Sequence, residues 1–585
     1  MKKTLIALLL IVSVVFMPAV FSSAEAKSEY SSYVTARTSG SGLVLEPTLI
    51  LEPNDINDIP TGANLSASGV TSVMFTPDKD MNVVLGSETT AFTELFNTHV
   101  KGKFIAVLRL DENTVDGFID MMNNVYTIKD VIVVSKNLSV LKKIYDDKVS
   151  SIANAVYDLT DVKIPSGRYD TWEYIAQANG AYANVLMYDA SDENFAVAAE
   201  YAGSMTKVCW GYADGTGETV SAIADGATGI VVRNADDYNS AIKFFSKKGF
   251  SKAQYVAAHR GITAYANENS EMAVAAAVSE GSTHAEIDIQ FTRDGEFIVC
   301  HDMVSSNFSV TKGVNFEPTL SSYSTTLKLN DYSIKYGDCF PLLDQIIQTV
   351  YKSDLILIIE LKLEDGRTSV VNKGAIEKFV ALMNSYPYMK GRWFCITFYK
   401  PYADQMREFA PEIPVGFLGG ATSGYEKDSG LTGWNGEWTL MSNVSSKIAF
   451  MHKYKTVLDE NYSQATSNTS QTYLARGYLQ NGWTFEDVNH FGCKINIATT
   501  NAAEKCADCI KSIEPQNLSM TRDDLSKGKI IVDTVNYNGW KTQRECDVIT
   551  VSESLGKATV LLYYYETFNG ANYGLYSQLL TYEII

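Results

Sequence analysis

Tyr255–Asp302 reads YVAAHRGITAYANENSEMAVAAAVSEGSTHAEIDIQFTRDGEFIVCHD, and its periodicity switches twice. Tyr255–Ala258 is a short apolar run of strand type that stops at His259-Arg260-Gly261. Ser270–Glu280 then carries helical spacing, with Ser270 placed to cap it. Ala285–Phe291 returns to strand character, Asp294-Gly295 marks a tight turn, and Phe297–His301 is strand-like again. A strand, a helix and a strand in succession imply parallel pairing with a right-handed crossover. Polar residues gather where the strands end, the edge at which a parallel barrel places its chemistry.

The same alternation continues outward. Further strands are expected at Leu355–Leu361, Trp393–Phe398, Pro414–Leu418 and Lys494–Thr499, with helices at Leu342–Tyr351, Lys373–Ser385 and Pro401–Phe409. Residues 253–526 therefore read as one (β/α)8 barrel of the TIM type, with Gly419–Asn443 and Asn461–Thr472 as long polar loops. Upstream, residues 28–250 alternate in the same way, for example Lys103–Leu110, Val115–Asn123, Asp130–Ser135 and Leu138–Asp146, and predict a second α/β barrel-like domain. Residues 527–585 are aromatic and strand-like, with turn signals at Asn538-Gly539 and Asn569-Gly570, and predict a small antiparallel β unit.

The 585-residue chain has 49 basic and 68 acidic side chains, a net charge of −19, and no basic block, which argues against a nucleic-acid partner. Lys2 and Lys3 precede an apolar run from Leu5 to Phe21, and Ala24-Glu25-Ala26 offers small residues at a cleavage site. Residues 1–26 are expected to be a signal peptide, so the protein is expected to be secreted, without stable membrane insertion after cleavage.

Glu286 and Asp288 lie two apart on a strand and so share a face; two carboxylates facing one interior need a cation between them, and hard oxygen ligands suit calcium or magnesium. Glu360 and Lys362 repeat the spacing at the end of Leu355–Leu361. The chain has six histidines, and two of them, His259 and His301, fall at strand ends in this window. His284 is a reserve candidate, with a surface role at the strand entry favoured. Cys300 alternates away from His301 and reads as a core thiol, and Cys506/Cys509 read as packed thiols or a local disulfide.

His-Arg-Gly, Glu-Asn-Ser, Glu-x-Asp, Asp-Gly, His-Asp and Glu-x-Lys, in that order over Val256–Lys362, resemble the glycerophosphodiester phosphodiesterase family. The resemblance weakens towards Leu525: Ile497–Asn501 has alanine where the family often has tryptophan, and the closing Gly-x-x-x-Asp-x-Pro pattern is missing. It implies a barrel with one divalent ion, calcium or magnesium, held by Glu286, Asp288 and Glu360. It further implies His259 and His301 as acid and base, Arg260 and Lys362 on the phosphate, and Glu268 in support. The implied activity is hydrolysis of glycerophosphodiesters to glycerol phosphate and an alcohol, with water or a neighbouring substrate hydroxyl as nucleophile. Outside a cell the substrates would be deacylated phospholipids or poly-glycerophosphate wall polymers. The alternatives are a non-catalytic binding protein for phospho-glycerol polymers and a phospholipase of the D or C type on a related barrel.

Ala222–Asp237 resembles the family's late barrel segment, while Phe104–Asp111 carries Arg109 in place of a Glu-x-Lys. The first half thus reads as a degenerate copy without catalytic residues, an unrelated α/β domain being the alternative. The aromatic loop bearing Tyr425, Trp434 and Trp438 is a candidate lid, and the Tyr563-Tyr564-Tyr565 run a candidate glycan contact.

Overall fold

The computed structural model describes residues 45–585 except 63, 126–127, 150–152, 246–254, 292–294, 302–308, 312–313, 316–340, 366–369, 372, 420–443, 463–466, 487–494 and 569–570. The expected signal peptide, the Tyr425/Trp434/Trp438 loop and Asp302 lie outside the described residues.

Two closed parallel barrels dominate. The first is built from Thr48–Leu51, Val70–Phe75, Ile105–Arg109, Val131–Ser135, Ala153–Asp158, Val185–Asp189, Val208–Tyr212 and Gly229–Val232. It closes where Thr48–Leu51 pairs with Gly229–Val232 on one side and Val70–Phe75 on the other. Strands such as Val131–Ser135 are buried on both faces, which is why they read as continuous apolar runs rather than alternations. Between them lie amphipathic helices such as Leu138–Asp146, capped by Asn137, whose side chain accepts from the Ser139 amide.

The second barrel runs through Tyr255–His259, His284–Phe291, Ile356–Leu361, Trp393–Thr397, Val415–Gly419, Leu458–Asn461, Gln480–Phe485 and Ile497–Thr500. Tyr255–His259 pairs with both His284–Phe291 and Ile497–Thr500, closing the ring. Phe297–Val299 folds back antiparallel on His284–Phe291. The polar stretch expected as a loop at Asn461–Thr472 instead runs from the strand Leu458–Asn461 into the helix Ser467–Leu474. The buried Ser470 in this stretch pairs with polar groups of the flanking strands: it donates to Gln480, which in turn donates to Glu460. Hydrophobic periodicity therefore gave no signal there.

A six-stranded sheet follows, mostly antiparallel, formed by Lys529–Asn536, Lys541–Ser554, Lys557–Phe568 and Ala571–Ile584. It also recruits Ile510–Ile513 and Ser519–Met520, so it begins upstream of residue 527. Cys506 and Cys509 lie on and just beyond a short 3-10 turn at Ala503–Cys506, with Cys506 buried.

The barrels meet through the faces at which their strands begin. Asn154, at the start of a first-barrel strand, donates to the carbonyls of Arg476 and Gly477, just before Gln480–Phe485. Asn496 donates to Gly203 O at 2.8 Å, and the Tyr255 hydroxyl to Glu200 O at 2.5 Å. Gly477 has φ +74°, and a Cβ there would lie 2.8 Å from Asn154 Nδ2, so the close approach requires glycine. Asp130 is buried in the seam against Arg476, 2.6 Å away, and His452, 3.2 Å away. His284 joins the same seam: it is fully buried, with Nε2 on Ser204 O at 2.9 Å, rather than at the surface. Because the strand starts face each other, the strand ends, and with them both barrel mouths, face outward and apart.

Candidate active site at the mouth of the second barrel

Strand register assembles the site. His259 lies opposite Glu286, and Asp288 opposite Glu360, on neighbouring parallel strands. Period-two alternation turns Glu286, Asp288 and Glu360 inward together, and their carboxylate oxygens come within 4.8 Å of one another. All three are buried. Burial, then Asp288 and Glu360, push the Glu286 carboxyl well up; burial likewise pushes Glu360 up to about 8. Burial also raises Asp288, but Lys362, His301 and Arg260 outweigh it and hold this carboxyl at about 2. Asp288 Oδ1 is buried without a hydrogen-bond partner. Converging carboxylates with an unsatisfied oxygen fit a hard divalent cation, which would stabilise the charge that the protein alone opposes.

The turn after Tyr255–His259 supplies the next groups. Arg260 and Asn269 have φ of 57° and 58°, an uncommon conformation that brings backbone and side chains onto the acids. The Arg260 amide donates to Glu286 Oε2 at 3.1 Å, and its guanidinium donates to Glu268 at 2.8 Å and lies 3.5 Å from Asp288. Gly261 has φ +78°, and a Cβ there would sit 2.6 Å from the Ala273 carbonyl carbon, so the motif's glycine answers a steric demand. Lys362 Nζ lies 2.7 Å from Glu360 and 3.6 Å from Asp288.

His259 hydrogen-bonds through Nδ1 to Asn501 Oδ1 at 2.7 Å, leaving Nε2 3.9 Å from Glu286. An amide oxygen only accepts, so Nδ1 carries the hydrogen and Nε2 keeps a lone pair in the neutral ring. Burial, followed by the Arg260 charge, lowers the His259 pKa. His301 is half-buried, its carbonyl accepts from Gln290 at 3.2 Å, and its charge acts on both Asp288 and His259. All eight expected residues, His259, Arg260, Glu268, Glu286, Asp288, His301, Glu360 and Lys362, thus fall in one network of direct contacts and mutual electrostatics. Cys300 is buried, and its amide donates to the Asp288 carbonyl at 2.9 Å.

Three contributors were not assigned from sequence. Asn269 donates to Asp288 Oδ2 and accepts from the Asp288 amide. Asn501 orients His259 and is itself bonded to Glu486. Asp459, on Leu458–Asn461, is a further buried acid whose Oδ1 has no hydrogen-bond partner; burial, then Glu360 and Glu460, raise it to about 8. Asn269 and Asn501 were visible beside the motifs, but only closure of the barrel brings them to Asp288 and His259.

Residues 259–496 match the family model described as glycerophosphoryl diester phosphodiesterase family. A glycerophosphodiester phosphodiesterase from Caldanaerobacter subterraneus subsp. tengcongensis is 27% identical over 168 residues, covering 28% of this chain and 65% of the relative. One from Bacillus altitudinis is 30% identical over 167 residues, covering 28% of this chain and 64% of the relative. The chain thus spans just under two thirds of the length of these relatives. Among solved structures, a glycerophosphodiester phosphodiesterase from Parabacteroides distasonis aligns with TM-score 0.33 and 18% identity, covering 44% of this chain and 95% of that one. An Oleispira antarctica phosphodiesterase in complex with the product sn-glycerol-3-phosphate aligns with TM-score 0.32 and 19% identity, covering 43% and 95%.

Proposed function

We propose, from the premise that the second barrel belongs to the glycerophosphoryl diester phosphodiesterase family, that it hydrolyses glycerophosphodiesters to glycerol phosphate and an alcohol. The observation that carries the reading is the placing of His259, beside the buried acids Glu286, Asp288 and Glu360, with Arg260 and Lys362 on the same rim.

Glu286, Asp288 and Glu360 would hold one divalent cation, calcium or magnesium. When bound, it supplies positive charge that offsets the negative charge building on the phosphate oxygens. Arg260 and Lys362 bind those oxygens and orient the diester, Arg260 itself braced by Glu268. His259, kept neutral by burial and with Nε2 unprotonated, takes the proton from the attacking hydroxyl. As the new P–O bond forms, the bond to the alcohol breaks, and His301 gives the leaving oxygen its proton. The attacking hydroxyl belongs to water or to the glycerol moiety itself; both use the same pair of histidines.

The apolar run after Lys2 and Lys3 supports export, and among the described residues no helix is long and apolar enough to cross a membrane. Outside the cell, deacylated phospholipids such as glycerophosphocholine and poly-glycerophosphate wall polymers are the substrates that fit. The test is release of glycerol phosphate from glycerophosphocholine and from a wall polymer, with calcium, magnesium or chelator, beside His259→Ala and Glu286→Ala. Metal-dependent release that both substitutions abolish supports the enzyme. Folded, metal-loaded protein that binds these substrates without turnover would replace it with a binding protein.

A further inference from the structure

The outward mouth of the first barrel holds a cavity of about 410 Å³, within the size range of small-molecule sites. Its lining comes from strand ends, as in the second barrel: Glu52, Arg109, Asp189, Tyr212, Asp214 and Arg233 among them. Arg109 is fixed at its base, 2.6 Å from the buried Asp158 and 3.4 Å from Glu52, and the Tyr212 hydroxyl donates to Glu52 at 2.7 Å. Arg109 and Arg233 each stand 6.0 Å from the centre of the Tyr212 ring. Arg233 is exposed, and among the described residues no carboxylate lies within ion-pairing distance of it. A braced guanidinium, an exposed one and an aromatic ring therefore face a space otherwise walled by acids and by the hydroxyl residues Thr160 and Ser191.

The wall chemistry selects the ligand. Carboxylates outnumber guanidiniums, so a phosphate dianion would meet net repulsion. Among the described residues, the group of acids close enough to chelate an ion is the one in the second barrel, so this wall is not drawn together around a metal. Hydroxyl groups suit it, because they donate to carboxylates and accept from guanidiniums at once. We propose that the first-barrel mouth binds an uncharged polyhydroxy ligand, a sugar or polyol, with Arg233 and Asp214 among its contacts. The site is independent of the diesterase reading, since the two mouths face away from each other.

The test uses the full chain and saturation-transfer NMR, followed by titration calorimetry, with glycerol, glucose, N-acetylglucosamine and sn-glycerol-3-phosphate as probes and chelator present. Arg233→Ala and Asp214→Ala alter exposed side chains. The expected result is that at least one uncharged probe binds, that either substitution weakens it tenfold or more, and that Lys362→Met leaves it unchanged. Absence of binding by every uncharged probe at millimolar concentration would overturn the proposal. So would binding that ignores both substitutions, or tighter Arg233-dependent binding of glycerol phosphate than of glycerol.

Discussion

Asn269 and Asp288, 19 residues apart, exchange two hydrogen bonds: the Asn269 amide nitrogen donates to Asp288 Oδ2 at 2.9 Å, and its oxygen accepts the Asp288 backbone N–H at 3.1 Å. The exchange clamps the turn after the first strand of the second barrel to the centre of the acidic cluster. It occupies one carboxylate oxygen of Asp288 and leaves the other without a hydrogen bond, 3.6 Å from Lys362 Nζ.

Removing that clamp loosens a ligand without removing it. Asn269→Ala is expected to weaken calcium or magnesium binding about 10- to 100-fold, as for other groups that orient metal ligands. Titration calorimetry of the metal reads this directly, and unchanged affinity would count against the clamp.

Asn501 accepts from His259 Nδ1 and so favours the protonated ring, opposing burial, which lowers the His259 pKa. Asn501→Ala takes the opposition away, so the His259 pKa falls further. For a base, activity rises as pH passes its pKa; the acidic limb of the kcat/KM profile is therefore expected to move to lower pH. A pH–rate series on both proteins shows it, and a limb moving upward would contradict the assigned hydrogen bond.

At Gly261 a methyl group has nowhere to go. Gly261→Ala combines a left-handed φ of +78° with a Cβ 2.6 Å from Ala273 backbone, and is expected to cost about 2–4 kcal/mol. Urea unfolding measures the loss; a change below about 0.5 kcal/mol would mean the turn relaxes freely.

At the seam, Arg476→Met leaves Asp130 buried with His452 as its remaining ionisable partner. The expected cost is about 3–5 kcal/mol, whereas Asp130→Asn/Arg476→Met, which removes both charges, should cost less. Comparing the denaturation midpoints of both variants with the parent separates a stranded charge from simple loss of packing.

His452 predicts the acid limb of stability. Burial outweighs the pull of Asp130 and holds its folded pKa at about 4, below the ordinary 6.5. Between those values the unfolded chain binds a proton that the folded chain refuses, so stability is intact above pH 6.5 and declines as pH falls to about 4. The slope from this group is about 1.4 kcal/mol per pH unit at most. His452→Gln should flatten that part of the curve; an unchanged slope in thermal melts would assign it elsewhere.

The amino-acid order determined the alternating elements, hence two parallel α/β units and a β-rich tail, because strand and helix periodicities are local. It also carried the spacing that marks the eight expected site residues, Glu286, Asp288 and Glu360 within strands, His259 at a strand end, and Arg260, Glu268, His301 and Lys362 in the segments that follow strands. Which partner each would meet was decided only by closure of the barrels. Strand register set His259 against Glu286 and Asp288 against Glu360, and the ring brought Asn501 to His259 across 242 residues. The polar strand bearing Asp459 and Glu460 carries no hydrophobic period, so its place in the barrel rests on pairing with Val415–Gly419 and Gln480–Phe485. Burial of His284 and the Asp130–Arg476 pair likewise followed from two barrel floors meeting, an event between segments far apart in the chain. Local sequence carries propensity and spacing; contact between distant segments exists only once the backbone has closed on itself.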